Sequence, residues 1–417
     1  MGPARMEFFL GSPSPSGFAG LFGPLVQDAG GSVTLLKGTP GCGKSTLLER
    51  LAAALEAQGE QVERVRCAGD PDSLDAVVCR ARQVCAADAT APHALEPECP
   101  VAGENVLSLY SALDRGALRA QHAEIAALYR RSRTLNERAA RYITAAGSLL
   151  LDTQRTAQCC TDAAKTRALA KALSRRYLPV AAGPAGEEVR FLSALTPRGV
   201  VCLAPVTVPA LADTVVVVDD ALGYAGKLLL GALREEALAK GHRVLSCCCP
   251  MSPNDKLEHL FVPALRLAFV TSNSWHPLSF AGQRTIHCTR FYAGEALALR
   301  TNRLRFNRNA AQELLAQSAA LLAEAAECHR ALEGYYTHAM DFARLDAAYA
   351  QLAAECGLES GAADPAAAAG AQDGKSAAYA KSAAAADRAK RAKSRKPAES
   401  TQRAANAEDT PETAGKR

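Results

Sequence analysis

The chain of 417 residues is long enough for two domains, each with its own apolar core, so neither disulfides nor a structural metal is needed to hold it together. Its 48% hydrophobic content is rich in Ala, Leu and Val and includes a single Trp, which favours helices joined to Val-rich strands. No uncharged apolar run of about 18 residues occurs, and the opening MGPARMEFFLGSPSPSG lacks the apolar centre of a signal peptide, so a cytoplasmic protein without a membrane span is expected.

The 14 cysteines include neighbours at Cys159–Cys160 and Cys247–Cys249 but no CxxC pair. They read as reduced, partly buried small hydrophobes rather than as a disulfide framework or a zinc knuckle. The net charge of +5 is concentrated at the end: from Ser360 onward there are eleven Lys or Arg and seven Asp or Glu. This Ala/Lys-rich stretch, 359–417, is expected to be disordered, because it offers little bulk to bury against the entropy of ordering. It reads as a solubilising tail, with contact to nucleic acid or an acidic membrane as the alternative.

Taken in chain order, Ser32 to Leu36 reads as a short buried strand. It runs into K-G-T-P-G-C-G-K-S-T, after which Leu47, Leu48, Leu51 and Leu55 mark one face of a helix that stops at Gly59. Gly38 to Ser45 fits G-x-x-x-x-G-K-[ST], between the strand and helix that give the motif its meaning. In the loop Gly38, Thr39, Pro40, Gly41, Cys42 and Gly43, the glycines let the backbone N–H groups of the non-proline residues curl around phosphate oxygens, and the helix adds its positive end. Lys44 is expected on the β and γ phosphates of ATP, Ser45 on Mg²⁺, and Thr46 as a secondary contact.

Hydrolysis also needs a carboxylate on a neighbouring strand, and Asp88, in V-C-A-A-D-A-T-A-P-H, is the candidate for both the metal and the catalytic side. Asp70, Asp72 and Asp75, after a strand at Val62 to Cys67, are candidates to support the metal ligands or to meet substrate; a helix capped by Asp72 or Ser73 is the structural alternative.

The pattern then recurs. E-F-F-L-G-S-P-S-P-S-G-F resembles V-R-F-L-S-A-L-T-P-R-G-V at 189–200, and the match continues at an offset of about 183 residues, with one small gap. Asp72, Leu74 and Asp75 find Asp255, Leu257 and Glu258; Asp88 finds Thr271, and His93 finds His276. In this alignment Gly226 and Lys227 persist, while Ala221 replaces Gly38 and Leu228 replaces Ser45. Leucine cannot ligate magnesium, and Asp220 adds negative charge where phosphate would lie. The second half is therefore expected to be a structural or regulatory partner. Since His276 occurs in the damaged copy, a turn or core hydrogen bond is favoured for His93 over contact with nucleotide.

Each half closes with a helical section, marked by Leu118, Ile125, Leu128, Leu135, Tyr142 and Ile143 in the first and by Leu314, Leu315, Leu321, Leu322, Leu332, Tyr335 and Leu345 in the second. Arg130, Arg131, Arg133, Arg138 and Arg141 read as solvated surface.

On K-G-T-P-G-C-G-K-S-T, C-A-G-D-P-D-S-L-D, A-D-A-T-A-P-H and F-V-T-S-N-S-W-H-P, the chain resembles a family of bacterial ATPase-like proteins with tandem P-loop halves, roughly through Cys356. Family members look as if they carry two such loops, so the eroded second loop is a departure. The resemblance implies ATP binding through Gly38, Gly43, Lys44 and Ser45.

The expectation is thus an α/β chain of duplicated P-loop NTPase domains, with mainly parallel sheets and helical extensions, divided at 1–185, 186–358 and 359–417. Its expected activity is Mg²⁺-dependent ATP hydrolysis coupled to a conformational switch, with an unidentified protein partner. A small-molecule or nucleotide kinase and a nucleic-acid-associated ATPase are the alternatives.

Overall fold

Alternating apolar strands and Leu-rich helices fold into an α/β structure; the computed structural model describes residues 5–23, 25 and 31–358. The basic stretch 359–417, with its expected disorder and nucleic-acid contact, lies outside the described residues.

The first half opens with β1 (Met6–Phe9) and a hairpin, β2 (Gly11–Ser14) and β3 (Gly17–Gly20). Then come β4 (Ser32–Lys37), helix α1 (Lys44–Ala57), β5 (Glu63–Arg66), β6 (Leu74–Cys79), β7 (Val84–Asp88) and β8 (Glu104–Ser108). A 37-residue helix α2 (His122–Gln158) and α3 (Ala163–Tyr177) follow. The second half runs β9 (Gly186–Arg190), hairpin β10 (Ser193–Thr196) and β11 (Gly199–Cys202), β12 (Thr214–Asp219), α4 (Tyr224–Ala239), β13 (Arg243–Cys248), β14 (Leu257–Val262), β15 (Leu267–Ser272) and β16 (Arg284–His287). It ends in a 38-residue helix α5 (Thr301–His338) and α6 (Phe342–Glu355).

The first six-stranded sheet has the order β1-β5-β6-β7-β4-β8, and the second, read from β9, is β9-β13-β14-β15-β12-β16. The two orders are the same, element for element. Both sheets are mixed: β6 and β14 run antiparallel to both neighbours, and the other pairings are parallel. The expected mainly parallel sheets are therefore each interrupted by one strand. No helix follows Asp72 or Ser73; the chain turns there and enters β6 directly.

Along β4, Val33 and Leu35 face one core while Leu36 faces the other, as the two-residue period of a strand requires. The second core holds Leu47, Leu48, Leu51 and Leu55 of α1, and it is completed by Leu345 and Leu352 of α6, from the other half of the chain. Reciprocally, Ala170 and Leu173 of α3 pack with Leu229, Leu230 and Leu233 of α4 on the second sheet. The long helices α2 and α5, each about 55 Å at 1.5 Å per residue, pack against each other through Leu135, Ala139, Leu321 and Ala325, and carry α3 and α6 across. Equivalent clasps secure both crossings. Asp114 N–H donates to Ala339 O and Asp341 N–H to Ala112 O, each at 2.8 Å; Ala293 N–H donates to Cys160 O and Asp162 N–H to Phe291 O, also at 2.8 Å.

At the centre, Phe9 and Phe191, equivalent residues of the two copies, exchange backbone hydrogen bonds of 2.8 and 2.9 Å. Such self-pairing of equivalent residues is the signature of a two-fold contact. Around it Arg190 Nε meets Glu63 Oε1 at 2.5 Å, both side chains buried, while Arg80 pairs with Glu188 and Arg198 with Asp72.

Candidate functional site

Parallel pairing sets the first loop beside β7: Leu36 of β4 lies opposite Asp88, so the loop that begins at Gly38 leaves its strand next to that carboxylate. Gly41 (φ 69°) and Gly43 (φ 89°) take left-handed conformations, which a side chain disfavours, and Gly43 caps α1. A Cβ on Gly41 would stand 2.6 Å from Glu333 O of α5, and one on Gly43 would stand 2.8 Å from a Leu345 methyl of α6. Thr337 Oγ1 donates to Gly41 O at 3.1 Å, so the loop is gripped by the helices that cross from the second half. Nothing in the sequence signalled that grip, because the partners are nearly 300 positions apart.

Lys44, the first residue of α1, returns its ammonium to Thr39 O at 2.8 Å and lies 3.6 Å from Asp88 Oδ2. Ser45 Oγ accepts the Leu74 N–H at 3.0 Å, which ties α1 to the start of β6. Thr39 Oγ1 is buried without a hydrogen-bond partner, Thr46 is exposed, and Cys42 is buried against Gly38. Burial pushes the Cys42 thiol upward, more than neighbouring Lys44 pulls it down. Asp88 Oδ1 accepts from Thr90 N–H (2.9 Å) and Thr90 Oγ1 (2.5 Å).

Two further groups converge here. Asp75 follows Leu74 at the start of β6, one residue before the pair Ala76↔Ala87, which brings it to the end of β7 that carries Asp88. Its carboxyl is raised to about 7, first by burial and then by the Asp88 charge. His93 Nε2 is 3.7 Å from Asp75 Oδ1, and one ligand atom each from Asp75, Asp88 and His93 lie within 4.8 Å of one another. The imidazole packs on Phe22 (ring centroids 4.5 Å apart), and burial lowers its pKa. The sequence contained the signal for both residues, since the repeat aligns Asp75 with Glu258 and His93 with His276. His93 also takes part in the turn expected of it, its N–H donating to Thr90 O at 3.1 Å. Asp70 and Asp72 lie outside this cluster: Asp70 accepts from Ser73 Oγ at 2.5 Å, and Asp72 pairs with Arg198. Arg130, Arg131, Arg133, Arg138 and Arg141 of α2 are exposed.

The second loop requires a correction of register. Gly41 and Gly223 share the left-handed conformation, Gly59 and Gly241 both have φ 82°, and Leu47, Leu48 and Leu51 occupy the core positions of Leu229, Leu230 and Leu233. The offset through the loop is therefore 182, not 183. Asp220 stands at the place of Gly38, Gly226 at Lys44 and Lys227 at Ser45, so the retained Gly-Lys pair does not align with Gly43 and Lys44. The structure also gives Asp220 a role: its carboxylate accepts from Gly226 N–H (2.7 Å), Leu222 N–H (3.1 Å) and Tyr292 OH (2.9 Å). The positive end of α4 thus holds a carboxylate supplied by its own chain. Lys227 pairs with Asp255 at 2.5 Å.

Below this loop, Lys256 Nζ is 3.2 Å from Glu258 Oε1, and His276 Nε2 is 3.1 Å from the same oxygen. Burial alone would raise the Glu258 carboxyl; His276 and Lys256 overcome it and hold it well below the usual carboxylate range. His259 Nδ1 accepts the Thr271 N–H at 3.2 Å, and burial pushes its pKa down to about 3.

No family model, curated protein or solved structure matches this chain. Among the described residues no helix is long and apolar enough to cross a membrane.

Proposed function

We propose that the chain is a duplicated P-loop NTPase that binds ATP at Gly38–Thr46 of its first half and hydrolyses it with Mg²⁺. The observation that carries this reading is the contrast between the loops. In the second copy the N–H of Gly226 holds the Asp220 carboxylate; in the first, the corresponding positions are Lys44 and the side-chain-free Gly38, which leaves the same helix end to a phosphate from outside.

The residues present suit that ligand. Gly41 and Gly43 take left-handed conformations in the loop, and Lys44 starts the helix with its ammonium 3.6 Å from Asp88. Ser45 and Asp88 are the oxygens for Mg²⁺, which when bound polarises phosphate oxygens. Lys44 draws negative charge from the phosphate chain in the same direction. Because Thr337 and Leu345 touch the loop itself, a change in Gly41–Gly43 on binding is passed to α5 and α6 and so to the second half. That supports ATP-gated switching with a protein partner as the readout.

The test is turnover by the full chain with ATP and Mg²⁺, measuring ADP and phosphate together. Phosphate equal to ADP, lost at least a hundredfold in Lys44→Ala, is expected. ADP formed only with an added acceptor and without phosphate replaces hydrolysis by a kinase reaction, and undiminished turnover in Lys44→Ala removes this loop from the chemistry.

A further inference from the structure

A carboxylate oxygen of Asp75 and one of Asp88 lie within 4.8 Å of each other, an arrangement of like charges that costs stability unless something positive lies between them. Lys44 answers Asp88 at 3.6 Å, while Asp75 faces His93 Nε2 at 3.7 Å, beyond hydrogen-bond distance. The His93 side chain is only 7% exposed, its Nδ1 has no hydrogen-bond partner, and Phe22 stacks against it, holding the ring toward the two carboxylates.

The second half shows how the same position is balanced when the positive charge is built in. With the offset of 183 that the strand pairs Ala76↔Ala87 and His259↔Val270 establish, Asp75 becomes Glu258, Asp88 becomes Thr271, His93 becomes His276 and Ser73 becomes Lys256. There one carboxylate is gone, and the Lys256 ammonium lies 3.2 Å from the one that remains. In the first half the lysine is a serine whose hydroxyl turns to Asp70, and there are two carboxylates.

We infer that Asp75, Asp88 and His93 form a site for a first-row divalent cation, held by the protein itself, where the second half has substituted the ammonium of Lys256. Two carboxylate oxygens and one imidazole nitrogen, within 4.8 Å of one another, are a mixed oxygen and nitrogen set. That set selects Mn²⁺ or Zn²⁺ over Mg²⁺, which prefers oxygen alone. The site goes beyond the nucleotide reading and does not rest on it: Asp75 and His93 are not needed to hold an ATP-bound magnesium, and binding is expected without nucleotide.

The experiment is titration of the chelator-stripped full chain, without nucleotide, with Mn²⁺ and separately with Zn²⁺, read by calorimetry and, for Mn²⁺, by electron spin-echo modulation from coordinated nitrogen. One ion per chain is expected, with affinity at least tenfold weaker in Asp75→Asn and His93→Gln and the nitrogen signal lost in His93→Gln. Ser73→Lys, which plants the second half's ammonium in the first, is expected to abolish binding while leaving the melting transition cooperative. No bound ion in the wild type, or an ion retained in all three variants, overturns the site. Since no nucleotide is present, either result leaves the ATP reading to its own test.

Discussion

Gly38 and Asp220 occupy the same place in the two halves, and only the second carries a side chain that fills the end of the following helix. Asp220 is nearly fully buried, and its carboxylate satisfies two backbone N–H groups and the Tyr292 hydroxyl. Asp220→Ala is therefore expected to destabilise the protein by about 1–3 kcal/mol, because it strands those donors; a denaturant titration measures it, and an unchanged midpoint would contradict the role given to Asp220. Placement was legible where spacing alone specifies it: Gly38, Gly43, Lys44 and Ser45 lie between a strand and a helix, with Asp88 on the adjacent strand. It was not legible where a short-range match competed with the three-dimensional register. The Gly226–Lys227 pair invited an alignment with Gly43–Lys44 that the shared left-handed glycines rule out.

Helices α5 and α6 belong by sequence to the second half, yet they finish the core of the first and touch its loop. Leu352 is fully buried in the cluster that contains Leu47, Leu51 and Leu55. Leu352→Ala is expected to cost about 2–5 kcal/mol, with hydrogen exchange rising first in β4 and α1 rather than in β12 and α4. Faster exchange confined to the second sheet would mean that α6 does not support the first core. The helices themselves were readable from their Leu and Ala periodicity. Their exchange between halves was not, because an apolar stripe shows that a helix has a partner without showing which one. The same limit applies to β6 and β14: an apolar run such as Leu74–Cys79 fits a buried strand of either direction.

At the scale of the whole molecule, two copies meet through Phe9 and Phe191 and are pinned by the buried Arg190–Glu63 pair. Burial by itself would raise the Glu63 carboxyl, but Arg190 and then Arg80 outweigh it and hold the group below its ordinary value. A carboxylate whose pKa falls on folding stabilises the native state above its unfolded pKa, and that contribution is lost as the pH drops through the folded value. Arg190→Ala is accordingly expected to cost about 3–5 kcal/mol at pH 7, by leaving buried Glu63 with only its 3.3 Å contact to Arg80, and the gap from the wild type should narrow as the pH falls below the ordinary carboxylate range; thermal melts from neutral to acid pH check both. The same two-fold plan gives each copy a loop at a helix end, one carrying Lys44 and the other filled by Asp220. On the proposed function, such a molecule binds one nucleotide, not two. Equilibrium binding of Mg²⁺-ATP to the full chain, compared with Lys44→Ala and Lys227→Ala, tests it directly: one site per chain, lost in Lys44→Ala and kept in Lys227→Ala, is predicted, whereas two sites, or a single site that survives Lys44→Ala, would contradict it.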